Sequence, residues 1–579
     1  MQDVRAILDL DPFGHVELTE PVAVYAADSL ADVRPAIRAA EAAADGGRWV
    51  AGLVAYEAAP AFDPALRVRA AARPPLAWFG AFDRPVEPAP TTAGDGCDAQ
   101  LAGFDPDTSE AEYAQAVEGI RDAIGRGVAY QVNLTVRLRG RFSGNPAALY
   151  RRLHAAQGAR RSVFLAMGRR AIASASPELF FERDRDRLVV RPMKGTAHRG
   201  RFAEEDDRIA AALAASPKER AENVMIVDLM RNDVGRVARL GSVRVEDLCV
   251  VERYRTVHQM TSTVEGRLRP GTTLDDVFAA LFPCGSVTGA PKSSAMSLIA
   301  ALEGTPRGPY CGALGAIAPG GRAAFNVAIR TLDLDLESGD ATYGTGAGIT
   351  WPSSAQAEWQ ETLEKARVLA VSPRRGFELI ETMRVEGGRC GLLPRHLARL
   401  EASARHLHFA LDASAARDAV LRKAAALGPG THRLRLLLDE GGAMRLEAGA
   451  GPEVAAEPLP VALGRTPVCA HDPLLFHKTT RREPYDARRH ERPDVFDVVL
   501  QNEAGEVTEL TIGNLVADLD GARVTPPREA GLLAGVYRAE LLARGEIVEH
   551  PLQAADLHRA RRLWLVNALR GWVPIQLVE

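Results

Sequence analysis

The chain has 579 residues, 71 Lys+Arg against 75 Asp+Glu and a formal net charge of -4. That length predicts about three to five folding units, and 46% apolar with 25% charged residues is an ordinary globular balance. The near-neutral charge argues against a nucleic-acid binder. No apolar run reaches a membrane span, Met1–Arg5 lacks a signal-peptide layout, and the six scattered cysteines include no CxxC pair. A soluble cytoplasmic protein without disulfides or structural zinc is the expectation.

In chain order, Val86–Gly96 is rich in Pro, Gly and Thr and predicts a disordered loop. Phe180-Phe181 and Leu188–Val190 flank Arg183–Asp186 and predict a β-hairpin. Ser216-Pro217-Lys218-Glu219 predicts a helix start with Ser at the N-cap, Pro at N1 and a capping box closed by Glu219. Val371–Gly376 follows a charged helical stretch, and its Pro and Gly mark the major division. Beyond it, Val498–Leu500 with Val507–Glu509, and Val516–Leu519 with Ala522–Thr525, predict two more hairpins. The class is α+β throughout. The expected organisation is a domain over 1–370, a linker over 371–376 and a second domain over 377–579.

Four features before residue 370 carry chemistry. Glu219 and Glu222 lie three apart on one predicted helix, Glu358 and Glu361 three apart on another, so each pair shares a helix face. Opposed, the faces would form an oxygen-rich cage suited to Mg²⁺; alone, they also read as solvated surface. Tyr343–Gly348 offers close backbone approach to an anion, or a tight turn. Arg330 ends an alternating stretch and could fork a carboxylate. Lys194, read at a strand end before Gly195, could become a nucleophile if desolvated.

Together these segments resemble one family. The runs Ala129–Thr135, Ser174–Phe180, Pro192–Thr196, Ala221–Asp233, Phe282–Lys292 and Gly344–Lys365 stand in the order found in the chorismate-utilising enzymes, over residues 1–370. That family includes anthranilate synthase component I, aminodeoxychorismate synthase component I, and isochorismate and salicylate synthases. The resemblance implies an anthranilate-synthase-type two-sheet sandwich with helices outside. It implies Glu222 and Glu361 as direct Mg²⁺ ligands, with Glu219 and Glu358 acting through water. It implies Glu178 as the acid/base at the C4 oxygen of chorismate and His258 near the C4 hydroxyl. Arg330, Tyr310, Thr288 and the backbone of Gly346, Ala347 and Gly348 would bind substrate. Anthranilate synthases typically carry Ala in the slot of Lys194. The resemblance to aminodeoxychorismate synthases implies that Lys194 attacks ring C2 as the C4 hydroxyl leaves, and that ammonia then displaces it. Met193 stands where Ile is usual. No cysteine lies in a G-x-C-x-G elbow, so a separate glutamine amidotransferase is expected to supply ammonia.

In the second half, Phe377–Arg384, Pro394–Leu400, Leu474–Thr480, Val507–Glu509 and Gly531–Arg538 resemble the fold-type-IV pyridoxal phosphate enzymes. These include branched-chain and D-amino-acid aminotransferases and aminodeoxychorismate lyase, and build two-subdomain units that usually form homodimers. The resemblance implies Lys478 as the Schiff-base lysine and Glu509 as the partner of the pyridine nitrogen. Arg399 and the amides of Val536 and Tyr537 would hold the phosphate, with Asn567-Ala568 at the cofactor's edge. Fusion to the first half implies a lyase that releases pyruvate and leaves 4-aminobenzoate for folate synthesis. The rivals are an anthranilate or isochorismate synthase fused to an aminotransferase, and a silent scaffold for the glutaminase.

Overall fold

A computed structural model describes residues 4–71, 73–86, 99–370, 376–452 and 457–578. Of the loop expected over 86–96, Val86 alone is described, bridging Glu17. The linker expected over 371–376 lies outside the described residues except for Gly376. Contacts divide the chain into two units: Met1–His198 with Ala210–Pro373, and Arg199–Ile209 with Arg374–Glu579.

Among its described residues, the first unit is built on two antiparallel sheets of nine and ten strands. In the nine-stranded sheet, Asp340–Ile349 lies between Gln131–Gly144 and Thr331–Asp335. In the ten-stranded sheet, Val257–Arg267 lies between Met193–His198 and Arg187–Arg191. Central strands such as Ala77–Phe82 and Ala313–Ile317 are buried along their whole length, and Leu8, Leu165 and Ile172 of one sheet meet Leu53, Leu314 and Ala324 of the other in a shared core. Helices cover the outer faces. Leu30–Asp45, Pro217–Gly235 and Leu274–Leu281 pack on the ten-stranded sheet around Phe181, Phe278 and Phe325. Glu110–Gly125, Lys292–Leu302 and Ala355–Glu364 pack on the other around Val132, Leu134 and Trp359.

The expected local elements are present. Leu179–Asp184 and Arg187–Arg191 form the first hairpin; Asp497–Gln501 with Val507–Leu510, and Asn514–Leu519 with Ala522–Thr525, form the others. The helix after Ser216 begins at Pro217, and the Ser216 side chain accepts from the Glu219 amide. The reciprocal arm of the capping box is missing, because the Glu219 carboxylate turns toward Gly195, 3.1 Å from where a Cβ there would stand.

Among its described residues, the second unit has a four-stranded antiparallel sheet and an eight-stranded mixed sheet. In the smaller sheet, Leu434, Leu436 and Leu438 point into a core closed by the helices Leu393–Leu407 and Ala413–Ala425. In the larger, Leu459–Leu463 runs parallel to both neighbours. No helix among the described residues is long and apolar enough to cross a membrane.

Candidate active sites

In the first unit, the side chain of Lys194 is aimed by a β-bulge. Lys194 is the second residue of Met193–His198 rather than the end of a strand, and the register against Val257–Arg267 slips between Met193 and Thr196. Gly195 takes φ +93 there, a backbone open to glycine, and the bulge turns its neighbour out of the regular alternation. Asn223 Nδ2 donates to the Lys194 carbonyl at 3.3 Å and Gln259 Nε2 to the Gly195 carbonyl at 2.9 Å, so the bulge is pinned from a helix and a strand. Half-buried Lys194 brings its Nζ to Gly348, 2.8 Å from where a Cβ would stand, with Gln131 Nε2 nearer still, so a side chain at 348 would displace both.

Gly346, Ala347 and Gly348 form part of the strand Asp340–Ile349, not a turn. Thr331–Asp335 pairs with this strand only as far as Tyr343, whereas Gln131–Gly144 pairs with it through Ile349. Among the described residues, Gly344–Ile349 therefore has a ladder neighbour on one edge alone. The buried ring of Tyr310 lies against Gly344. Arg330 sits between two strands at φ +52, a left-handed conformation, and its guanidinium donates to the Lys365 carbonyl at 2.5 Å.

Glu178 is 3% exposed and accepts from Ser286 Oγ at 2.6 Å. Burial pushes its carboxyl up to about 7, against the opposing pull of the Ser286 hydrogen bond and the Lys194 charge. His258 is fully buried on the strand facing Ala197. Thr288 is also buried, its hydroxyl donating to the Cys284 carbonyl at 3.1 Å.

Glu219 and Glu222 lie on Pro217–Gly235, Glu358 and Glu361 on Ala355–Glu364. Burial raises Glu222, Lys194 opposes this, and Glu219 and Glu361 add repulsion. Burial also raises Glu358. Burial works against the charge on Glu361, yet Lys365 Nζ, 2.6 Å away, outweighs it and holds that carboxylate below its usual range. The closed cage anticipated from the spacing is not formed: among the described residues no three His, Cys, Asp or Glu side chains converge as a metal group. Glu361 instead takes Lys365 as its counter-charge. Glu219 and Glu361 act on the charge of Glu222, and Glu361 on that of Glu358; the four side chains thus share one electrostatic neighbourhood, and their oxygen chemistry suits an ion that keeps water ligands and takes a substrate carboxylate.

In the second unit, Lys478 follows the short helix Pro473–Phe476, and its carbonyl accepts from the Ile380 amide at 2.9 Å. Burial lowers its ammonium to about 8, with Arg399 adding to the shift. Glu509, 3% exposed, is pushed up to about 8 by burial. Its oxygens accept from Tyr485 at 2.9 Å, the Leu533 amide at 3.0 Å and Asn514 Nδ2 at 3.1 Å. Arg399 forks Glu381 at 2.8 and 2.7 Å, and His396 lies 2.6 Å from the same carboxylate. Burial penalises Glu381, but Arg399 and His396 hold it down at about 2. Val536 and Tyr537 open the helix Val536–Ala543, which has no side-chain cap at its start. Asn567 spends its side chain within its own turn and on the Ile512 carbonyl. A depressed lysine, a buried carboxyl, an arginine and an uncapped helix start are a donor set that fits pyridoxal phosphate.

Sequence reasoning missed Asn223, Ser286, Lys365, Glu381 and Tyr485. The first four stand inside the motif runs already singled out, so their positions were visible but not their contacts. Tyr485 shows only as a buried polar group once the chain is folded.

Residues 8–371 match the family described as chorismate binding enzyme, and residues 378–578 match amino-transferase class IV. An anthranilate synthase component 1 of Haloarcula marismortui is 41% identical over 268 residues, 46% of this chain and 54% of that protein. The aminodeoxychorismate synthase component 1 of Escherichia coli is 41% identical over 254 residues, 44% of this chain and 56% of that protein. The chain spans about half the length of these curated relatives. The crystal structure of anthranilate synthase component I from Streptococcus pneumoniae superposes with a TM-score of 0.52 at 26% identity, covering 64% of this chain and 91% of that one. The two-sheet architecture, the matched residues and these relatives agree: the chain belongs to the chorismate binding enzyme family and carries an amino-transferase class IV domain after it.

Proposed function

We propose that the chain makes 4-aminobenzoate from chorismate in two steps, amination at C4 followed by elimination of pyruvate. The observation that carries the first step is Lys194, an amine aimed by the Gly195 bulge at the side-chain-free strand at Gly348, within electrostatic reach of Glu178 and Glu222. Lys194 Nζ bonds to ring C2 as the C4–O bond breaks. Protonated Glu178 gives its proton to the departing oxygen, which leaves as water. Ammonia then bonds to C4, the C2–N bond breaks, and the lysine amine is restored. Arg330, Tyr310, Thr288 and the Gly346–Gly348 backbone orient the substrate, and His258 faces its C4 side. Mg²⁺ held by Glu222 and Glu361, with Glu219 and Glu358 through water, would offset the ring carboxylate's charge. A separate glutamine amidotransferase supplies the ammonia, in a cytoplasmic homodimer.

For the second step, pyridoxal phosphate held at Lys478 would supply an electron sink for the amine-bearing carbon. Glu509 would keep the pyridine nitrogen protonated, and Arg399 with the Val536 and Tyr537 amides would hold the phosphate. The Lys478 amine would take the proton from C4, and loss of the C3 enolpyruvyl group as pyruvate would leave the ring aromatic. Anthranilate synthase relatives as similar as the aminodeoxychorismate synthase ones support a second reading, an anthranilate-type first half. The residue at 194 favours amination at C4. Purified protein with chorismate, Mg²⁺ and an ammonium salt, with and without pyridoxal phosphate, tests both. The proposal requires aminodeoxychorismate without the cofactor and 4-aminobenzoate with it; anthranilate as the product overturns it.

A further inference from the structure

Residues 199–209 fall within the stretch matched to the chorismate binding enzymes, yet their contacts make them part of the second unit. Arg199 forks the buried Asp206 at 2.8 and 2.9 Å, and the Gly200 amide donates to Asp206 Oδ1 at 2.8 Å. This closes a compact turn before the helix Ala203–Ala215. Phe202, 3% exposed, enters a core cluster with Leu475, Phe476, Val498 and Leu500, its ring centroid 5.2 Å from that of Phe476. Arg528 lies 4.0 Å over the Phe202 ring and donates to Glu204 at 2.8 Å. Arg201 donates to the carbonyls of Ala470 and Glu529 at 3.3 and 3.1 Å.

These contacts converge on the two residues that precede Lys478. Phe476 rests on Phe202. His477 stacks on His406 with centroids 4.6 Å apart, and its Nδ1 lies 2.9 Å from Ser403 Oγ. Arg199 Nη2 in turn donates to the His406 carbonyl at 3.2 Å, and Asp206 Oδ2 lies 4.0 Å from His406 Nδ1. The segment thus supplies the floor beneath Phe476 and the clamp behind His477. The Lys478 carbonyl is fixed separately, by Ile380.

We infer that residues 199–209 are a positioning element of the cofactor site, with Phe202 setting the placement of Lys478 through Phe476. This rests on Lys478 being the cofactor lysine. Removing a buried phenyl ring opens a cavity that its neighbours fill only in part, so Phe476 and the lysine after it would lose their fixed position.

The test uses the full chain. Pyridoxal phosphate is titrated into wild type, Phe202→Ala and Phe202→Leu, with binding followed by visible absorbance and folding by far-UV circular dichroism. Phe202→Ala is expected to raise the cofactor Kd at least tenfold with an unchanged far-UV spectrum, and Phe202→Leu to recover most of the affinity. A Phe202→Ala protein that binds within twofold of wild type overturns the inference, as does Phe202→Leu failing equally. Should Phe202→Ala not fold, Arg199→Gln is read by the same titration and the same limits. Wild type that takes up no pyridoxal phosphate overturns the reading of Lys478 itself, a distinct result.

Discussion

Ser286 Oγ donates to Glu178 Oε1 at 2.6 Å, and Glu178 as a whole is 3% exposed. Burial favours the neutral acid and lifts it to about 7, while the serine favours the carboxylate. An acid that protonates a leaving oxygen works only while protonated. Chorismate consumption should therefore fall as pH rises through about 7. Ser286→Ala removes a donor to the charged form, so the falling limb should move upward by about one pH unit. Glu178→Gln should cost about 100-fold or more in kcat and flatten that limb. A pH–rate series checks all three; a limb that moves down in Ser286→Ala contradicts the assignment.

Lys194→Ala should abolish or divert amination while leaving pyruvate release from added aminodeoxychorismate intact. Product analysis with each substrate separates the two. Undiminished 4-aminobenzoate formation from chorismate would remove Lys194 from the chemistry.

Much of this site was legible before folding, though unevenly. The hairpins and the helix start at Ser216-Pro217 follow from turn chemistry and capping, which act within a few residues. The placement of Lys194 does not, because a bulge depends on the register of the partner strand, here Val257–Arg267. Glu219 reads as a cap residue by spacing but turns to Gly195, a contact between segments far apart in sequence. Lys365 was visible only as the last residue of a motif; its hold on Glu361 depends on the folded turn of the helix. Nothing local separates 199–209 from its flanks, since the signal is the burial of Phe202 among residues past 460.

Lys478→Ala should give a colourless protein that accumulates aminodeoxychorismate, where wild type shows an absorbance band at about 410–430 nm with bound cofactor. Glu509→Gln should retain the cofactor but slow pyruvate release, because a neutral amide cannot keep the pyridine nitrogen protonated. Spectra and a pyruvate assay decide; continued pyruvate release by Lys478→Ala would rule out its role.

Chelation should stop chorismate consumption, and added Mg²⁺ should restore it. Pyruvate release from supplied aminodeoxychorismate should be indifferent to the chelator. Equal loss of both activities would count against a metal confined to the four glutamates.

Glu303, 4% exposed, is shared by Arg137 at 2.9 Å and Arg307 at 2.6 Å. Glu303→Gln should leave both guanidinium groups without a counter-charge and cost about 3–5 kcal/mol. Denaturant unfolding of the variant measures this; a loss below about 1 kcal/mol would show that the arginines find other partners.

The second unit is composed of two separated stretches of the chain, with eleven residues drawn from inside the other half's sequence. A gene cut between the two catalytic modules would therefore yield a downstream product missing an internal brace, and an upstream product displaying Phe202 to solvent.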